Sequence, residues 1–130
     1  MKVLQPANWK RPRGYSNGIA AKGSTVFISG MVGWNAQEEF VSLDLAGQVR
    51  QALINIVAVL SEANAKPMDI VRMNWYLIDK KEYLAAAQEI GAAYREIIGR
   101  HYPAMTVIQV SGLLEDKARV EIEVTAVVPE

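Results

Sequence analysis

Apolar and polar residues alternate strictly near the end of the chain. Over residues 120–126 every second residue is apolar, and Glu121 and Glu123 stand between the apolar positions. Because successive side chains of a strand point to opposite faces, this pattern predicts a strand with one apolar and one acidic face. The acidic face either meets water or lines a site. The repulsion between two buried carboxylates would give them different surroundings.

The remaining strands are predicted from short alternating or β-branched segments. They cover residues 16–21, 24–31 and 70–78 and part of the stretch between His101 and Gly112. The first two are expected to form a hairpin that turns at Lys22 and Gly23. In the third, the apolar face that meets the core is expected to contain Val71, Met73, Trp75 and Leu77.

Two other segments repeat apolar residues at helical spacing. The first predicts a helix over residues 43–63 with Ser42 as its N-cap, and the second predicts a helix that begins after Asp79 and ends near Gly99. The order of these elements predicts an α+β fold in which a single mixed β-sheet has two helices packed on one face. A chain of 130 residues is expected to form a single domain, spanning residues 1–130.

The sheet face that the helices leave uncovered is expected to mix apolar and acidic side chains. From the last two strands it would present Met105, Val107, Gln109, Glu121, Glu123 and Thr125. Such a surface is too apolar in part to face water and too polar for a dry core. We therefore expect a subunit interface that contains a wet cleft.

Composition narrows the class of protein. The chain is 51% hydrophobic, which supplies a core, and it has no cysteine, which excludes disulfides, thiolate metal sites and a cysteine nucleophile. Its 14 basic and 14 acidic residues cancel, so no overall field favours nucleic acid or an acidic membrane. The sequence shows neither a signal-peptide pattern nor an apolar run of about 20 residues, and we expect a cytoplasmic protein without membrane contact.

Candidate chemistry outside the acidic strand is sparse. His101 is the only histidine and lies in a predicted loop, where a turn or interface role competes with general base catalysis. No spacing of Asp, Glu and His predicts a metal site, and no glycine-rich loop predicts phosphate binding. Trp34, Trp75 and Tyr76 are able to stack on a planar ligand, but aromatic residues at such positions more often belong to the core.

Five segments occur together in the order seen in one known family. They are residues 13–18 (Arg-Gly-Tyr-Ser-Asn-Gly), residues 26–30 (Val-Phe-Ile-Ser-Gly), the helix from Gln48, residues 102–104 (Tyr-Pro-Ala) and residues 120–127. Over nearly its whole length the sequence resembles the Rid family, the YjgF-type proteins named for reactive intermediate deamination. The resemblance implies a chorismate-mutase-like α+β subunit that forms a homotrimer, with three ligand clefts between neighbouring subunits.

The resemblance also implies a small site that works without a metal or an organic cofactor. Active deaminases of the family hydrolyse enamines and imines such as 2-aminoacrylate to 2-keto acids and ammonia. Their tyrosine near the N-terminus, their serine–glycine pair and their water-positioning glutamate correspond to Tyr15, to Ser29 with Gly30, and to Glu121. The arginine that binds the substrate carboxylate corresponds to Met105.

Met105 is the main departure from the family pattern. A guanidinium donates two parallel charge-assisted hydrogen bonds to a carboxylate, whereas a thioether is at most a weak acceptor. Val107 stands where family enzymes often have cysteine, and Gly91 stands where some have asparagine, so we expect a less polar cleft with a different ligand. Arg72 and Arg119 are candidates to replace the lost cation in space.

Two classes of function remain open from the sequence. The first is a cofactor-free hydrolase of an imine, an enamine or a related reactive metabolite, in which Glu121 aligns water while Tyr15 and Ser29 fix the substrate. Its activity on 2-aminoacrylate-type substrates is expected to be weak or absent. The second is a non-catalytic trimer that binds a small metabolite or acts through its surface. A third label, the endoribonuclease or translation inhibitor attached to some relatives, is disfavoured by the zero net charge.

Overall fold

A mixed sheet of four strands forms the centre of the computed structural model, which describes all 130 residues. The strands of the chain are β1 (Lys2–Val3), β2 (Ile19–Ala20), β3 (Ser24–Val32), β4 (Ile70–Leu77), β5 (Ala104–Gln109) and β6 (Val120–Val128). The central sheet has the order β3-β6-β4-β5. Within it β4 and β5 are parallel, and the other neighbours are antiparallel. The α+β class and the mixed sheet are confirmed.

Three helices accompany the sheet, α1 (Leu45–Glu62), α2 (Lys80–Ala85) and α3 (Ala87–Ile97). The first predicted helix is confirmed to within two residues at its start. Its predicted N-cap is wrong, because the carboxylate of Asp44 accepts the hydrogen bond from the Gly47 backbone N–H at 2.7 Å. The Ser42 hydroxyl instead donates to Asp44, at 3.1 Å, and so supports the cap from outside.

The second predicted helix is in fact two helices. Asp79 caps the first of them as predicted, accepting a hydrogen bond from the Lys81 backbone N–H at 2.9 Å. The break falls at Ala86, whose φ of −98° and ψ of 12° end α2 and begin α3. Neither proline nor glycine stands at this position, so the apolar repeat continues through the break and conceals it.

The hairpin predicted around Gly23 is wrong. Strand β2 pairs with β1 in a separate two-stranded sheet, and β3 pairs with β6 at the edge of the central sheet. Gly23 has a φ of +149°, and a Cβ there would lie 2.1 Å from the carbonyl oxygen of Val128. The chain therefore turns at Gly23 directly against the end of β6, which carries β3 onto β6 and away from β2.

The hydrophobic core lies between one face of the central sheet and the helices. The apolar face predicted for β6 is confirmed, and its four residues are almost completely buried: Val120, Ile122, Val124 and Ala126. In β4, Met73, Trp75 and Leu77 are buried as predicted, but a register shift places Ile70 in the core in place of Val71. None of the helices combines the length and the apolar character needed to span a bilayer.

The prediction that Met105, Val107 and Gln109 lie on the uncovered face is wrong. Parallel pairing places them beside Met73, Trp75 and Leu77, whose side chains point toward the helices. We use the term open face for the opposite surface, which carries Glu121, Glu123 and Thr125 of β6, Arg72, Asn74 and Tyr76 of β4, and Thr106 and Ile108 of β5. Strand β5 lies at the sheet edge and has apolar residues on both faces, so its pattern did not distinguish them.

Candidate functional site

Ser29 and Gly30 form a bulge in β3. The register between β3 and β6 shifts between Ile28 and Met31, so Ser29 and Gly30 together oppose the single residue Glu123. A bulge of this kind bends the strand and redirects the side chains around it. The serine–glycine pair expected from the resemblance therefore occupies an irregular point of an edge strand, beside the two acids of β6.

The carboxylate of Glu121 lies over Gly30. A Cβ on Gly30 would stand 2.3 Å from Oε2 of Glu121 and 2.8 Å from its Cδ, distances at which two non-bonded atoms cannot coexist. Because glycine has no Cβ, Gly30 leaves the space that the Glu121 carboxylate occupies. Glu121 is half-buried and has no hydrogen-bond partner within the chain, so its oxygens are free to accept hydrogen bonds from a water or a ligand.

Glu123 has very different surroundings. Its Oε1 accepts hydrogen bonds from Asn74 Nδ2 at 3.1 Å and from the Tyr76 hydroxyl at 2.5 Å. The hydrogen bond to Glu123, together with burial, raises the pKa of Tyr76. The two carboxylates on this strand face therefore differ in their surroundings, as expected from their mutual repulsion. Glu123 is hydrogen-bonded to neighbouring side chains, and Glu121 has no hydrogen-bond partner in the chain.

Met105 lines a cavity on the opposite side of the sheet. The cavity has a volume of about 300 Å³ and contains no acidic residue. Its walls come from the segment before β2, from β4 and β5 and from the helices: Gly14, Trp75, Tyr83, Ala87, Ile90, Gly91, Tyr94, Arg95, Tyr102 and Met105. Gly91 and Met105 therefore line one cavity, whereas Val107 lies outside it and is 37% exposed.

Tyr15 does not line this cavity but a neighbouring pocket, together with His101 and Tyr102. The Ser16 backbone N–H donates to the Pro103 carbonyl at 2.9 Å, and Ser16 forms a parallel bridge with Ala104. The segment therefore extends the sheet beyond β5. Tyr15 is 42% exposed, and the preceding Gly14 forms part of the cavity wall.

Within one chain, the predicted site residues lie in separate groups. Gly91 and Met105 line the helix-side cavity, Tyr15 lines a neighbouring pocket that shares Tyr102, and Ser29, Gly30 and Glu121 belong to the bulge and the open face. At ordinary strand spacing, β5 lies roughly 14 Å from β3 and roughly 10 Å from β6. Met105 and Glu121 also lie on opposite faces of the sheet, so one copy of the chain does not bring the two groups into one small site.

The two arginines considered as replacements for the lost cation lie elsewhere in the chain. Arg72 is on the open face, where its guanidinium is 3.4 Å from the Thr106 hydroxyl. Arg119 forms an ion pair with Glu82 of α2, with Nε and Nη2 both 3.1 Å from one carboxylate oxygen. Neither lines the cavity that contains Met105.

His101 makes two hydrogen bonds within the chain. Its Nε2 bonds to the carbonyl oxygen of Ile70 at 2.6 Å, and its own carbonyl accepts a hydrogen bond from the Tyr94 hydroxyl at 2.6 Å. Both contacts fasten the loop before β5 to the rest of the fold. No group of three or more His, Asp or Glu side chains is arranged to hold a metal ion.

Two polar groups beside the Met105 cavity were not anticipated from the sequence. Arg95 has no carboxylate partner, because the two ion pairs of the chain join Arg50 to Glu96 and Arg119 to Glu82. Trp75 also lines the cavity, and its indole N–H is buried without an acceptor. The spacing of Gly91 and Arg95, four residues apart on one helix, was the signal available in the sequence.

Comparison with known proteins settles the family. The family model described as Endoribonuclease L-PSP matches residues 8–128. The fold superposes with a TM-score of 0.84 on a conserved Rid-family protein of unknown function, YyfB from Yersinia pestis, at 33% identity over 98% of both chains. This chain belongs to the Rid family. The resemblance drawn from the five sequence segments is confirmed.

Other Rid proteins show a similar level of relatedness. A RutC family protein from Pyrococcus horikoshii is 32% identical over 127 residues, which covers 96% of each chain. The 2-iminobutanoate/2-iminopropanoate deaminase of Escherichia coli is 30% identical over 108 residues, covering 81% of this chain and 80% of that enzyme. The structure of the YjgF gene product from Escherichia coli aligns with a TM-score of 0.68 at 29% identity, covering 87% of both chains.

Proposed function

We propose that this Rid protein is a cofactor-free hydrolase that acts on an imine or enamine in a cleft between two copies of the chain. The observation that carries the proposal is the position of Glu121, whose half-buried carboxylate lies over Gly30 without a partner. A carboxylate held in this way is suited to accept a proton from water. The relatives named as iminobutanoate and iminopropanoate deaminases perform a reaction of this class.

The separation of the two residue groups supports a site shared between subunits. In the proposed assembly, one subunit supplies the cavity with Met105 and a neighbour supplies the bulge with Glu121. Large apolar side chains near the open face favour self-association, since Phe27 is 79% exposed and Leu114 is 91% exposed. The homotrimer implied by the family accounts for both features.

The proposed reaction needs only water and a base. Glu121 accepts a proton from water as the water oxygen bonds to the imine carbon, and passes that proton to the nitrogen to give a carbinolamine. It then takes the remaining hydroxyl proton and returns it to the nitrogen as the carbon–nitrogen bond breaks, so both protons of the water end on ammonia. The products are a carbonyl compound and ammonia. Tyr15 and the Ser29 hydroxyl would position the substrate, and Gly30 leaves the room in which Glu121 approaches it.

The matched pair Glu121→Gln and Glu123→Gln tests this assignment. Imines generated in solution from a panel of amino acids by an amino-acid oxidase would serve as substrates, and the release of ammonia and keto acid would be measured. We expect Glu121→Gln to lower turnover by roughly 100-fold or more with unchanged mass and ligand affinity. Glu123→Gln should weaken folding through Asn74 and Tyr76 and reduce turnover far less. Equal effects of the two substitutions would contradict the proposal.

A mixing experiment tests whether the site is shared. Glu121→Gln removes the base, and Met105→Trp fills the cavity, so each variant alone should be inactive. When the two are unfolded, mixed and reassembled, random association should regenerate about a quarter of the sites if each site uses two subunits. Recovery of no activity from two correctly assembled variants would place the whole site within one chain.

A non-catalytic trimer that binds a small metabolite is the second candidate. Met105 favours it, because a thioether does not clamp the carboxylate of a small imino acid as a guanidinium does. Glu121→Gln distinguishes the two functions. In a hydrolase it lowers turnover and leaves ligand affinity unchanged, whereas in a pure binder it alters ligand affinity or has no effect. A wild-type protein that binds ligands but hydrolyses none of the imine panel would establish this second function.

A further inference from the structure

An exposed cation, Arg95, stands at the edge of the Met105 cavity without a carboxylate partner in the chain. Arg95 lines it, and neither Arg95 nor any other wall residue is paired with a carboxylate there. The positions one turn away from Arg95 are Gly91 and Ala92 on α3, and Ile98 and Gly99 just after the helix ends, so no acid at these positions reaches the guanidinium. A free guanidinium at the mouth of an acid-free cavity attracts an anion.

Gly91 makes the position of this guanidinium possible. A Cβ on Gly91 would lie 3.2 Å from Nη1 of Arg95 and 4.0 Å from its Cζ, so the guanidinium lies directly over the glycine. An alanine methyl group at position 91 would move the guanidinium by only a few tenths of an ångström, whereas a longer side chain would compete for the space that it occupies. The glycine and the arginine thus form one unit, in which the first residue provides the space that the second occupies.

The other walls of the cavity indicate what the uncharged part of the ligand is like. Two aromatic pairs form these walls. The ring centroids of Trp75 and Tyr83 lie 6.3 Å apart in an edge-to-face arrangement, and those of Tyr94 and Tyr102 lie 5.7 Å apart in a stacked arrangement. Such rings favour an apolar, planar group. The indole N–H of Trp75 is buried and does not reach the cavity surface, so the ring contributes aromatic surface only. The cavity therefore offers one positive charge with its guanidinium N–H donors, and aromatic surface.

We propose that this cavity binds a small carboxylic acid with an aromatic or similarly apolar side group, and that Arg95 holds the carboxylate in the space that Gly91 leaves open. The inference rests on the proposed function in taking the cavity as the substrate-binding half of the shared site. Because the guanidinium comes from α3 and not from position 105 of β5, the carboxylate is held at a different place. The substrate class is therefore an imine or enamine of an aromatic or large apolar 2-keto acid.

Binding of phenylpyruvate, a stable keto-acid product of that class, tests the proposal by titration calorimetry at low ionic strength. We expect wild-type protein to bind it better than pyruvate, which lacks the ring, and better than the methyl ester of phenylpyruvate, which lacks the charge. Arg95→Gln should weaken phenylpyruvate binding roughly tenfold to a hundredfold and leave the ester unaffected. Lys22→Gln, which removes an exposed cation at the turn before β3, is the charge-matched control and should have little effect.

A double-substitution cycle separates this role from a general effect on folding. Gly91→Asn should weaken binding in the wild-type background by displacing Arg95, and should have no further effect once Arg95→Gln is present. Additive effects, a wild-type affinity in Arg95→Gln, or an equal loss of binding in Lys22→Gln would each overturn the assignment. Lack of phenylpyruvate binding by the wild-type protein would do the same.

The same proteins distinguish this inference from the proposed function. Arg95-dependent binding of phenylpyruvate without turnover of any imine would contradict hydrolysis and leave the binding site established. Turnover that depends on Glu121 but not on Arg95 would support hydrolysis and refute the assignment of the carboxylate site.

Discussion

Gln48 is the polar residue on which we expect the fold to depend most. Its side chain is fully buried near the start of α1. The amide Nε2 donates to the carbonyl of Lys117 at 2.9 Å and to that of Ser42 at 3.2 Å, and Oε1 accepts from the Arg119 backbone N–H at 2.7 Å. One side chain therefore joins the helix to the loop before it and to the segment that leads into β6 and Glu121.

Substitution of Gln48 by Met keeps the length of the side chain and removes all three hydrogen bonds. The Arg119 N–H loses its acceptor, which costs about 1–3 kcal/mol, and each of the two carbonyl bonds contributes about 0.5–1.5 kcal/mol. After the smaller desolvation cost of a thioether is allowed for, the free energy of unfolding should fall by about 2–4 kcal/mol. This is a large part of the about 5–15 kcal/mol typical of a domain.

Urea unfolding followed by tryptophan fluorescence measures this loss, at one protein concentration because self-association would alter apparent stability. Gln51→Met is the matched control, since Gln51 lies on the same helix and makes a single side-chain bond, to Asn55 at 2.9 Å. We expect that control to cost no more than about 1.5 kcal/mol. The hydrogen-bond reasoning would be refuted if the free energy of unfolding of Gln48→Met lay within about 0.5 kcal/mol of the wild-type value, or if it fell no further than that of Gln51→Met.

Three further outcomes are expected. Sedimentation at micromolar concentration should show a homotrimer, and a stable monomer would contradict the shared site. Wild-type turnover of 2-aminoacrylate should be weak or absent and should rise in Met105→Arg, with the gain limited by the like charge of Arg95 in the same cavity; wild-type turnover equal to that of an arginine-bearing relative would refute this reasoning. Burial raises the pKa of Tyr83 and Tyr94, so these phenols ionise more readily in the unfolded chain. The free energy of unfolding should therefore fall as the pH rises above about 10, less steeply in Tyr94→Phe, and a flat profile to pH 11 would exclude this contribution.

The sequence predicted those features that depend on local periodicity. The alternation in β6 gave both of its faces, the apolar repeat gave α1, and Asp79 was identified as a cap because the residues of a helix's first turn lie close in sequence. The features that were wrong depend on pairing between distant segments. Gly23 turns β3 onto β6 because of a close approach to Val128, more than a hundred residues away, and no local pattern records that contact.

The candidate site was predictable to a similar extent. The segments that carry the resemblance located Glu121, Ser29 and Gly30, which the structure places side by side at the bulge. The face of Met105 was not predictable, because it depends on the register of β5 against β4. Arg95 was missed because its role depends on having no partner in space, which is a property of the folded chain alone.

Gly91 links thermostability to ligand preference at a single position. A glycine inside a helix costs about 0.5–1 kcal/mol relative to alanine, so stability engineering guided by helix propensity would choose Gly91→Ala early. The added methyl group would contact the Arg95 guanidinium at 3.2 Å. If Arg95 holds the carboxylate as proposed, even this shift of a few tenths of an ångström would weaken a variant's affinity for acids, and a screen that scored stability alone would record the change as an improvement. In a lineage that adapts to higher temperature, we expect position 91 to resist the replacement that helix propensity favours.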